Sequence, residues 1–326
     1  MSVRFFPPIL AAAGLLALPA LAEQQGPGEA LQLLQKVASA AQRVTYTGVF
    51  VYQNGTRSET SRITHLIDNG DELERLEVLD GSPREVVRRN EEVRCFLPEN
   101  KLLIIERRNA HQFFPTLVPG NVAGLTEHYL IRTGSIGRVA GVISRVVLIE
   151  PRDELRFGHQ FWIDPQTGLL LKASLLGDAG VVLESFAFTE LKIGGPISRE
   201  MVKPQMEASS GDWQVQRVRS SETRADDGQW LFRNVLPGFR RLSGMKRQLR
   251  PDAPESTQVI FSDGLAAISV FIEPLAGRSK EETSAFSMGA VNVYKRQVAD
   301  YQLIVMGDVP IGALRHFGEG IEPRKK

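Results

Sequence analysis

Residues 161–171 read FWIDPQTGLLL, and this stretch predicts a β-hairpin whose second strand begins without the expected alternation. In the turn at 164–168, proline fixes φ early and glycine can adopt a positive φ late, so the flanking runs should pair. A strand with one solvent-facing side alternates apolar and polar residues, whereas Leu169, Leu170 and Leu171 are consecutive. We therefore expect both faces of this strand to be covered.

The same loss of alternation occurs in LLII at 102–105 and in VVLI at 146–149. A helix can cover the second face as ordinary core, or that face can line an apolar cavity under a lid, and an apolar run does not distinguish these explanations. Strict alternation would place Leu169 and Leu171 on one face and Leu170 on the other. The candidate cavity residues are Leu103, Ile105, Phe113, Phe114, Leu117, Val118, Phe161, Ile163, Leu169 and Leu171.

One amphipathic helix and a meander of strands are predicted before residue 205. Apolar residues recur at helical spacing from Glu29 to Arg43, which is typical of a helix with one buried face. The segment 109–127 is apolar without a period, and we interpret it as a loop or short helical lid. Turn sequences separate eleven strand-like runs: 44–53, 57–67, 72–79, 85–89, 93–97, 102–107, 128–132, 142–149, 159–163, 169–176 and 181–193.

A second, smaller unit is predicted after a polar linker that contains a short QVQRV run. Its strand-like runs are 230–235, 240–249, 257–261, 266–272, 287–294 and 301–306, and a terminal helix follows at 310–317. We expect a signal peptide at 1–22, a large domain at 23–205, the linker at 206–228, a small domain at 229–318 and a tail at 319–326.

The first 22 residues have the features of a cleaved secretion signal. Arg4 supplies the positive charge, an apolar segment runs from Ile9 to Leu18, and Ala20-Leu21-Ala22 fits the small-x-small rule of signal peptidase. The apolar segment is shorter than the roughly 20 residues that span a bilayer. We expect cleavage after Ala22 and an exported, soluble mature protein.

Composition and motifs argue against several classes of function. The chain has 326 residues and is 42% hydrophobic, so it can form more than one core. Loss of Arg4 with the signal lowers the formal charge from +1 to zero, which disfavours nucleic acid as a partner. Cys95 is the only cysteine. No nucleophile elbow, Walker loop, dinucleotide fingerprint or metal-ligand frame occurs, so we expect no catalytic residue, no metal, no cofactor and no enzymatic activity.

Three stretches resemble sequences of the RseB/MucB family: FWIDPQTGLLLKASLL at 161–176, LPGF at 236–239 and FSDGLAAISVFIE at 261–273. The resemblance extends over essentially the whole mature chain, and the segment from SDGL to SVFIE is its most specific part. It implies a mainly β, α+β protein in the periplasm. The large domain would be a LolA/LolB-like half-open antiparallel barrel with a helix and lid, joined to a smaller α/β domain.

The same resemblance implies a regulatory function. It suggests binding to the periplasmic region of a transmembrane anti-sigma factor of the RseA/MucA type, which protects that protein from regulated proteolysis and keeps the envelope-stress sigma factor inactive. A lipid or lipopolysaccharide fragment in the large domain would promote release. The alternative is a soluble periplasmic lipid or lipoprotein carrier, against which the second unit argues. Homo-oligomer formation stays open.

A basic segment in the second unit is a candidate contact for the partner or for an anionic ligand. FRRLSGMKRQLR at 239–250 contains no acidic residue, so its positive charge can attract carboxylates or phosphates. A solvated strand face is the alternative explanation. The candidate residues are Arg240, Arg241, Lys246, Arg247 and Arg250.

Overall fold

The computed structural model describes residues 27–40, 42–107, 122–206, 213–217, 220–222, 229–247, 255–275 and 282–324. The expected signal peptide lies outside these ranges. So do the lid candidates Phe113, Phe114, Leu117 and Val118, and Arg250 of the basic segment. Arg247 is described only in its backbone. Within the described ranges, no helix is long and apolar enough to cross a bilayer.

The large unit consists of helix α1 (Pro27–Ala40) and a sheet of twelve strands. The strands are β1 (Tyr46–Asn54), β2 (Arg57–Asp68), β3 (Asp71–Val78), β4 (Glu85–Arg89), β5 (Glu92–Leu97), β6 (Leu102–Arg107), β7 (Tyr129–Val139), β8 (Val142–Pro151), β9 (Gly158–Ile163), β10 (Leu170–Leu176), β11 (Val182–Ile193) and β12 (Gln214–Arg217). Their order in the sheet is β12-β6-β5-β4-β3-β2-β1-β11-β10-β9-β8-β7. Eleven of them meet antiparallel, and β12 pairs parallel to β6.

The sheet curls around α1. Strand β7 contacts β11 although the two are not hydrogen-bonded neighbours, and α1 also packs on β7. The helix buries Ala30, Leu34 and Val37 in a core shared with β1, β2 and β7–β11. Strands β7 and β12 form the two ends of the sheet order, so the described strands form an open curl rather than a closed barrel.

The hairpin at 161–171 forms as predicted, and its turn packs on α1. The Asp164 carboxylate accepts the backbone N–H groups of Gln166 and Thr167 at 3.1 and 3.2 Å. Lys36 Nζ donates to the carbonyl of Pro165 at 2.8 Å. Gly168 has φ +80°, and a Cβ there would lie 2.7 Å from Lys36, so this position needs glycine for both conformation and space.

A β-bulge explains why three leucines follow one another. Leu170 pairs with Ile163 and Lys172 with Trp162, which leaves Leu171 as the extra residue. Leu169, Leu170 and Leu171 are all buried and belong to the same core as α1. The expectation that Leu169 and Leu171 share a face opposite Leu170 was therefore wrong, because it assumed strict alternation through a bulge.

The outer face of β3–β6 is covered by the chain that follows β11, which we call the strap (residues 197–206). Glu85 is fully buried and anchors it: the Glu85 carboxylate accepts the backbone N–H groups of Gln205 and Met206 at 3.0 and 2.8 Å and an N–H of Arg75. Beyond the strap, β12 extends the sheet next to β6, so part of the segment expected to be a linker is a strand.

The small unit contains a seven-stranded antiparallel sheet, a two-stranded sheet and one helix. Its elements are β13 (Ser220–Glu222), β14 (Trp230–Phe232), β15 (Arg240–Arg247), β16 (Ser256–Ser262), β17 (Ala267–Pro274), β18 (Ser284–Met288), β19 (Val291–Val298), β20 (Tyr301–Gly307), α2 (Ile311–Glu319) and β21 (Ile321–Pro323). The stretch 287–294 was predicted as a single strand. It instead contains a turn at 289–290, which connects β18 to β19. Part of the expected tail, β21, pairs with β14. The mainly β architecture with a smaller second unit is confirmed.

Candidate functional site

The pairing register assigns the candidate cavity residues to two different faces of the sheet. Residues that pair directly on neighbouring antiparallel strands lie on the same face. One row of pairs includes Ile63, which packs in the α1 core, so this row marks the inner face. The row consists of Gly48, Ile63, Leu76, Val86, Cys95 and Ile104.

Leu103 and Ile105 lie on the outer face and not around α1. Leu103 continues the row that runs through Glu85 and Phe96. It is buried against Phe96 and Val87, and Ile105, Met206 and Trp213 pack on the same small cluster. The LLII run therefore has two apolar faces, as expected, but its outer face is covered by the strap and Trp213, and Ile104 is the residue that faces inward.

Helix packing, rather than an open cavity, accounts for most of the other described candidates. Ile163, Leu169 and Leu171 have at most 2% of their surface exposed and pack in the core built around α1. Phe161 belongs to the same core and also lines a cavity at the edge of the small unit. The candidates thus fall into two separate clusters.

The inner face of β3–β6 differs, because four of its apolar residues are only half-buried. Leu76, Val86, Cys95 and Ile104 all retain partial exposure among the described residues. Alternation within a strand separates its two faces but does not show which of them points inward. The inner face of β3–β6 therefore presents apolar surface that the described residues cover only in part.

A buried polar network adjoins this apolar face. A second inner row of pairs contains Tyr46, His65, Glu74 and Arg88. Arg88 binds both Glu72 and Glu74, the latter at 3.4 Å, and His65 Nε2 lies 3.3 Å from Glu72. Burial raises the pKa of Glu74, whereas the pKa of Glu72 is lowered because His65 and Arg88 outweigh its burial. No local pattern in the sequence indicates this network, because pairing between distant strands assembles it.

The small unit docks on the large sheet through a buried ion pair. The side chains of Arg156 and Asp263 are 0% and 1% exposed, and Arg156 Nη1 lies 2.8 Å from Asp263 Oδ2. The Tyr129 hydroxyl donates to the same oxygen at 2.9 Å. Arg156 also donates to Asp153 at 2.9 Å and to the carbonyl of Pro237 at 2.8 Å. A buried arginine with three such contacts, two of them to the small unit, holds the two units in a defined position.

Two stretches that carry the family resemblance meet at this junction. Asp263 and Leu265 belong to SDGL, and Leu265 packs against the α1 core of the large unit. Pro237 and Gly238 belong to LPGF, and Gly238 has φ +81° with His128 only 2.3 Å from the position of a Cβ. A second contact joins the Ala290 N–H to Asn54 Oδ1 at 3.0 Å. The motifs therefore serve the joint between the units.

The described part of the basic segment is not one uniform patch. Arg240 is exposed, whereas the Arg241 guanidinium lies over the Phe232 ring at 5.6 Å from its centre. A bulge between Arg241 and Ser243 changes which residues face outward. Lys246 lies 3.9 Å from Glu255. Of the five candidates, Arg240 is the described one that is fully available to a partner.

Two family models together match most of the chain. The MucB/RseB N-terminal domain matches residues 29–206, and the MucB/RseB C-terminal domain matches residues 224–322. The sigma factor AlgU regulatory protein MucB of Pseudomonas aeruginosa is 30% identical over 97% of this chain and 96% of its own length. The sigma-E factor regulatory protein RseB of Escherichia coli K12 is 24% identical over 89% of both chains.

Solved structures give the same result for the fold. A crystal structure of MucB in complex with MucA(peri) covers 91% of this chain and 100% of its own, at 29% identity and a TM-score of 0.72. A crystal structure of MucB alone covers 91% of this chain and 98% of its own, at 28% identity and a TM-score of 0.67. Both likenesses extend over the two units.

Proposed function

This chain belongs to the MucB/RseB family, and we propose that it binds the periplasmic part of a transmembrane anti-sigma factor and protects it from regulated proteolysis. The observation that carries the proposal is the likeness, over both units, to MucB in its complex with MucA(peri). Bound in this way, the anti-sigma factor keeps the envelope-stress sigma factor inactive. The function is one of occlusion and not of catalysis, in line with the regulatory names of the relatives.

The junction supports a partner surface that spans both units. A partner that contacts two units at once requires them to keep a constant relative position. The Arg156–Asp263 pair, the Tyr129 hydroxyl and the Asn54–Ala290 contact provide that constraint. A partner segment laid across the junction would therefore meet a preorganised surface, which lowers the entropic cost of binding.

We further propose that the protein acts in the periplasm after removal of residues 1–22. The charged start, the apolar segment and Ala20-Leu21-Ala22 support this location. Edman sequencing or intact mass of the exported protein should give Glu23 as the first residue.

Release of the partner by a lipid or lipopolysaccharide fragment is a second part of the proposal. The half-buried apolar residues on the inner face of β3–β6 support it, since an acyl chain would gain from covering them. The polar network around Arg88 lies on the same face and would meet a headgroup or a carboxylate. The site does not include Leu103 or Ile105, which lie under the strap.

The test is a protease-protection assay with the mature chain. The anti-sigma factor's periplasmic segment is incubated with its initiating protease, with and without saturating protein, and cleavage is followed by mass spectrometry. Protection should disappear when Arg156→Met disturbs the junction and should persist with Arg132→Met at an exposed site. Equal cleavage rates with and without the wild-type chain would contradict the proposal.

A further inference from the structure

A cavity of about 100 Å³ lies beside the junction, between the open end of the curled sheet and the small unit. Strands β9, β10 and β11 form its walls on the large unit, where Phe161 and Phe186 present their rings. Leu265 and Asp308 close it from the small unit. Because both units contribute, the cavity exists only while they are docked.

The charged groups that line this cavity are acidic. Glu184 on β11 and Asp308 after β20 line it, and no lysine or arginine is among the described residues that line it. The nearby Arg156 guanidinium already donates hydrogen bonds to Asp153, Asp263 and the carbonyl of Pro237. Burial and the neighbouring Asp263 and Glu184 raise the pKa of Asp308 to about 7, and burial raises the pKa of Glu184. The Asp308 carboxylate already accepts the Ala267 N–H at 2.6 Å, and Glu184 shares a hydrogen bond with the Tyr52 hydroxyl. Two carboxyl groups thus line one small space, with no cationic side chain among the described residues around it.

A buried histidine completes the polar lining. His159 is 9% exposed, and its Nε2 atom has no hydrogen-bond partner among the described residues. Burial lowers the pKa of His159 to about 4, so the ring is neutral at neutral pH. A neutral imidazole offers a lone pair to a hydrogen-bond donor. Its ring centre lies 5.7 Å from that of Phe161, which places the imidazole beside an aromatic wall.

We propose that this cavity binds one organic cation, a primary ammonium or a guanidinium group, with Glu184, Asp308 and the His159 ring as its acceptors. At about 100 Å³ the cavity far exceeds the roughly 10–15 Å³ that a single water needs, so it has room for such a group with a short carbon stem. Aromatic faces beside carboxylates favour cations over neutral molecules of the same shape. The cation is either a free amine or the side chain of a lysine or arginine from a protein segment.

Binding of this cation would strengthen the docking of the two units. A cation between Glu184 and Asp308 touches one acidic group from each unit and removes the repulsion between them. At neutral pH its binding displaces the proton that Asp308 retains. This role is independent of the anti-sigma factor.

The experiment compares n-butylammonium with n-butanol, a neutral molecule of the same shape, on the full mature chain. The thermal midpoint should rise with butylammonium and not with butanol at matched concentrations, and calorimetry in buffers of different ionisation enthalpy should show proton release on binding. Asp308→Asn and Glu184→Gln should each weaken the affinity about tenfold, as expected for one lost charge-assisted contact. Asp300→Asn, the same change at an exposed site, should have no effect.

A second arm identifies the source of the cation. N-acetyl-lysine amide is titrated beside N-acetyl-norleucine amide, its neutral counterpart. Stronger binding of the capped lysine than of butylammonium assigns the cavity to a protein side chain, and the reverse assigns it to a free amine. Equal responses to the charged and neutral molecules in both pairs would overturn the proposal, as would wild-type affinity in both Asp308→Asn and Glu184→Gln.

Discussion

The two halves of the large sheet cover their apolar strands in different ways. In the half formed by β1 and β7–β11, helix α1 fills the inside of the curl and the leucines after the 164–168 turn are fully buried. In the half formed by β3–β6, the strap packs on the outer face, while Leu76, Val86, Cys95 and Ile104 stay half-buried on the inner face. One half is therefore a packed core, and the other keeps half-buried apolar residues on its inner face.

The largest effect should come from placing a charge in the packed half. Leu170→Asp buries an unpaired carboxylate, which costs several kcal/mol against a total stability of about 5 to 15 kcal/mol, so the large unit should unfold. Ile104→Asp in the other half is the matched control and should leave a folded protein, since water reaches that face. Circular dichroism and urea titration measure both. Equal loss of structure in the two variants would remove the distinction between the halves.

The next effect concerns the junction, which lies on the packed half. Arg156→Met leaves Asp263 buried without its cation. This change should weaken the free energy of docking between the two units by about 3 to 5 kcal/mol. Denaturation should then separate into two transitions, and small-angle scattering should show a more extended chain. Arg132→Met removes an exposed pair with Glu150, worth about 0 to 1 kcal/mol, and should leave a single transition. A single, unshifted transition in Arg156→Met would refute the assigned role.

Truncation on the two faces of β6 sharpens the same comparison. Leu103→Ala opens space under the strap and should cost about 2 to 3 kcal/mol, whereas Ile104→Ala at the half-buried inner face should cost about 1 kcal/mol. An apolar fluorescent probe should report the opposite order: Ile104→Ala weakens its binding and Leu103→Ala does not. Probe binding that depends on Leu103 would place the ligand surface outside the curl.

The pH dependence of stability should change when Asp308 is neutralised. The pKa of Asp308 is raised to about 7. Its contribution to the free energy of unfolding is therefore greatest at low pH and falls as the pH rises from about 4 to 7. The pKa of His159 is lowered to about 4. Its contribution to the free energy of unfolding is therefore lost as the pH drops from 6.5 to 4, which is the opposite pH dependence. Asp308→Asn removes one contribution that falls with pH, so between pH 4 and 6.5 the stability of the variant should increase with pH more than that of the wild-type chain, by at most about 1.4 kcal/mol per pH unit. Urea midpoints across this range measure it, and an unaltered pH profile would contradict the assignment.

The smallest effect on stability is expected in the basic segment. Arg240 is exposed, so Arg240→Glu should change the free energy of unfolding by less than about 0.5 kcal/mol. If this residue contacts the partner, affinity should fall at low salt and the loss should shrink as salt is added. Unchanged affinity at low salt would leave Arg240 as a solvated strand residue.

Local sequence signals determined most of the elements of this fold. The 164–168 turn, the helical spacing before residue 43 and the short turns between strands depend on residues close together in the chain, so the helix, the eleven strands before residue 193 and the smaller second unit were predictable. The apolar runs also showed correctly that LLII has two buried or half-buried faces. The conformational effects of proline and glycine extend over only a few residues, so the turns that they form can be predicted directly from the sequence.

Tertiary structure decided what those faces meet. The bulge at Leu171 changes the alternation after the turn, and no local signal distinguishes a bulge from a strand with two apolar faces. The strap reaches Glu85 from 120 residues away, and Arg156 meets Asp263 across 107 residues. The cation-binding cavity likewise needs groups from both units. Such contacts depend on strand register and domain docking, whose free energies come from the whole fold, so the sequence determined the elements while only the packed chain determined the sites.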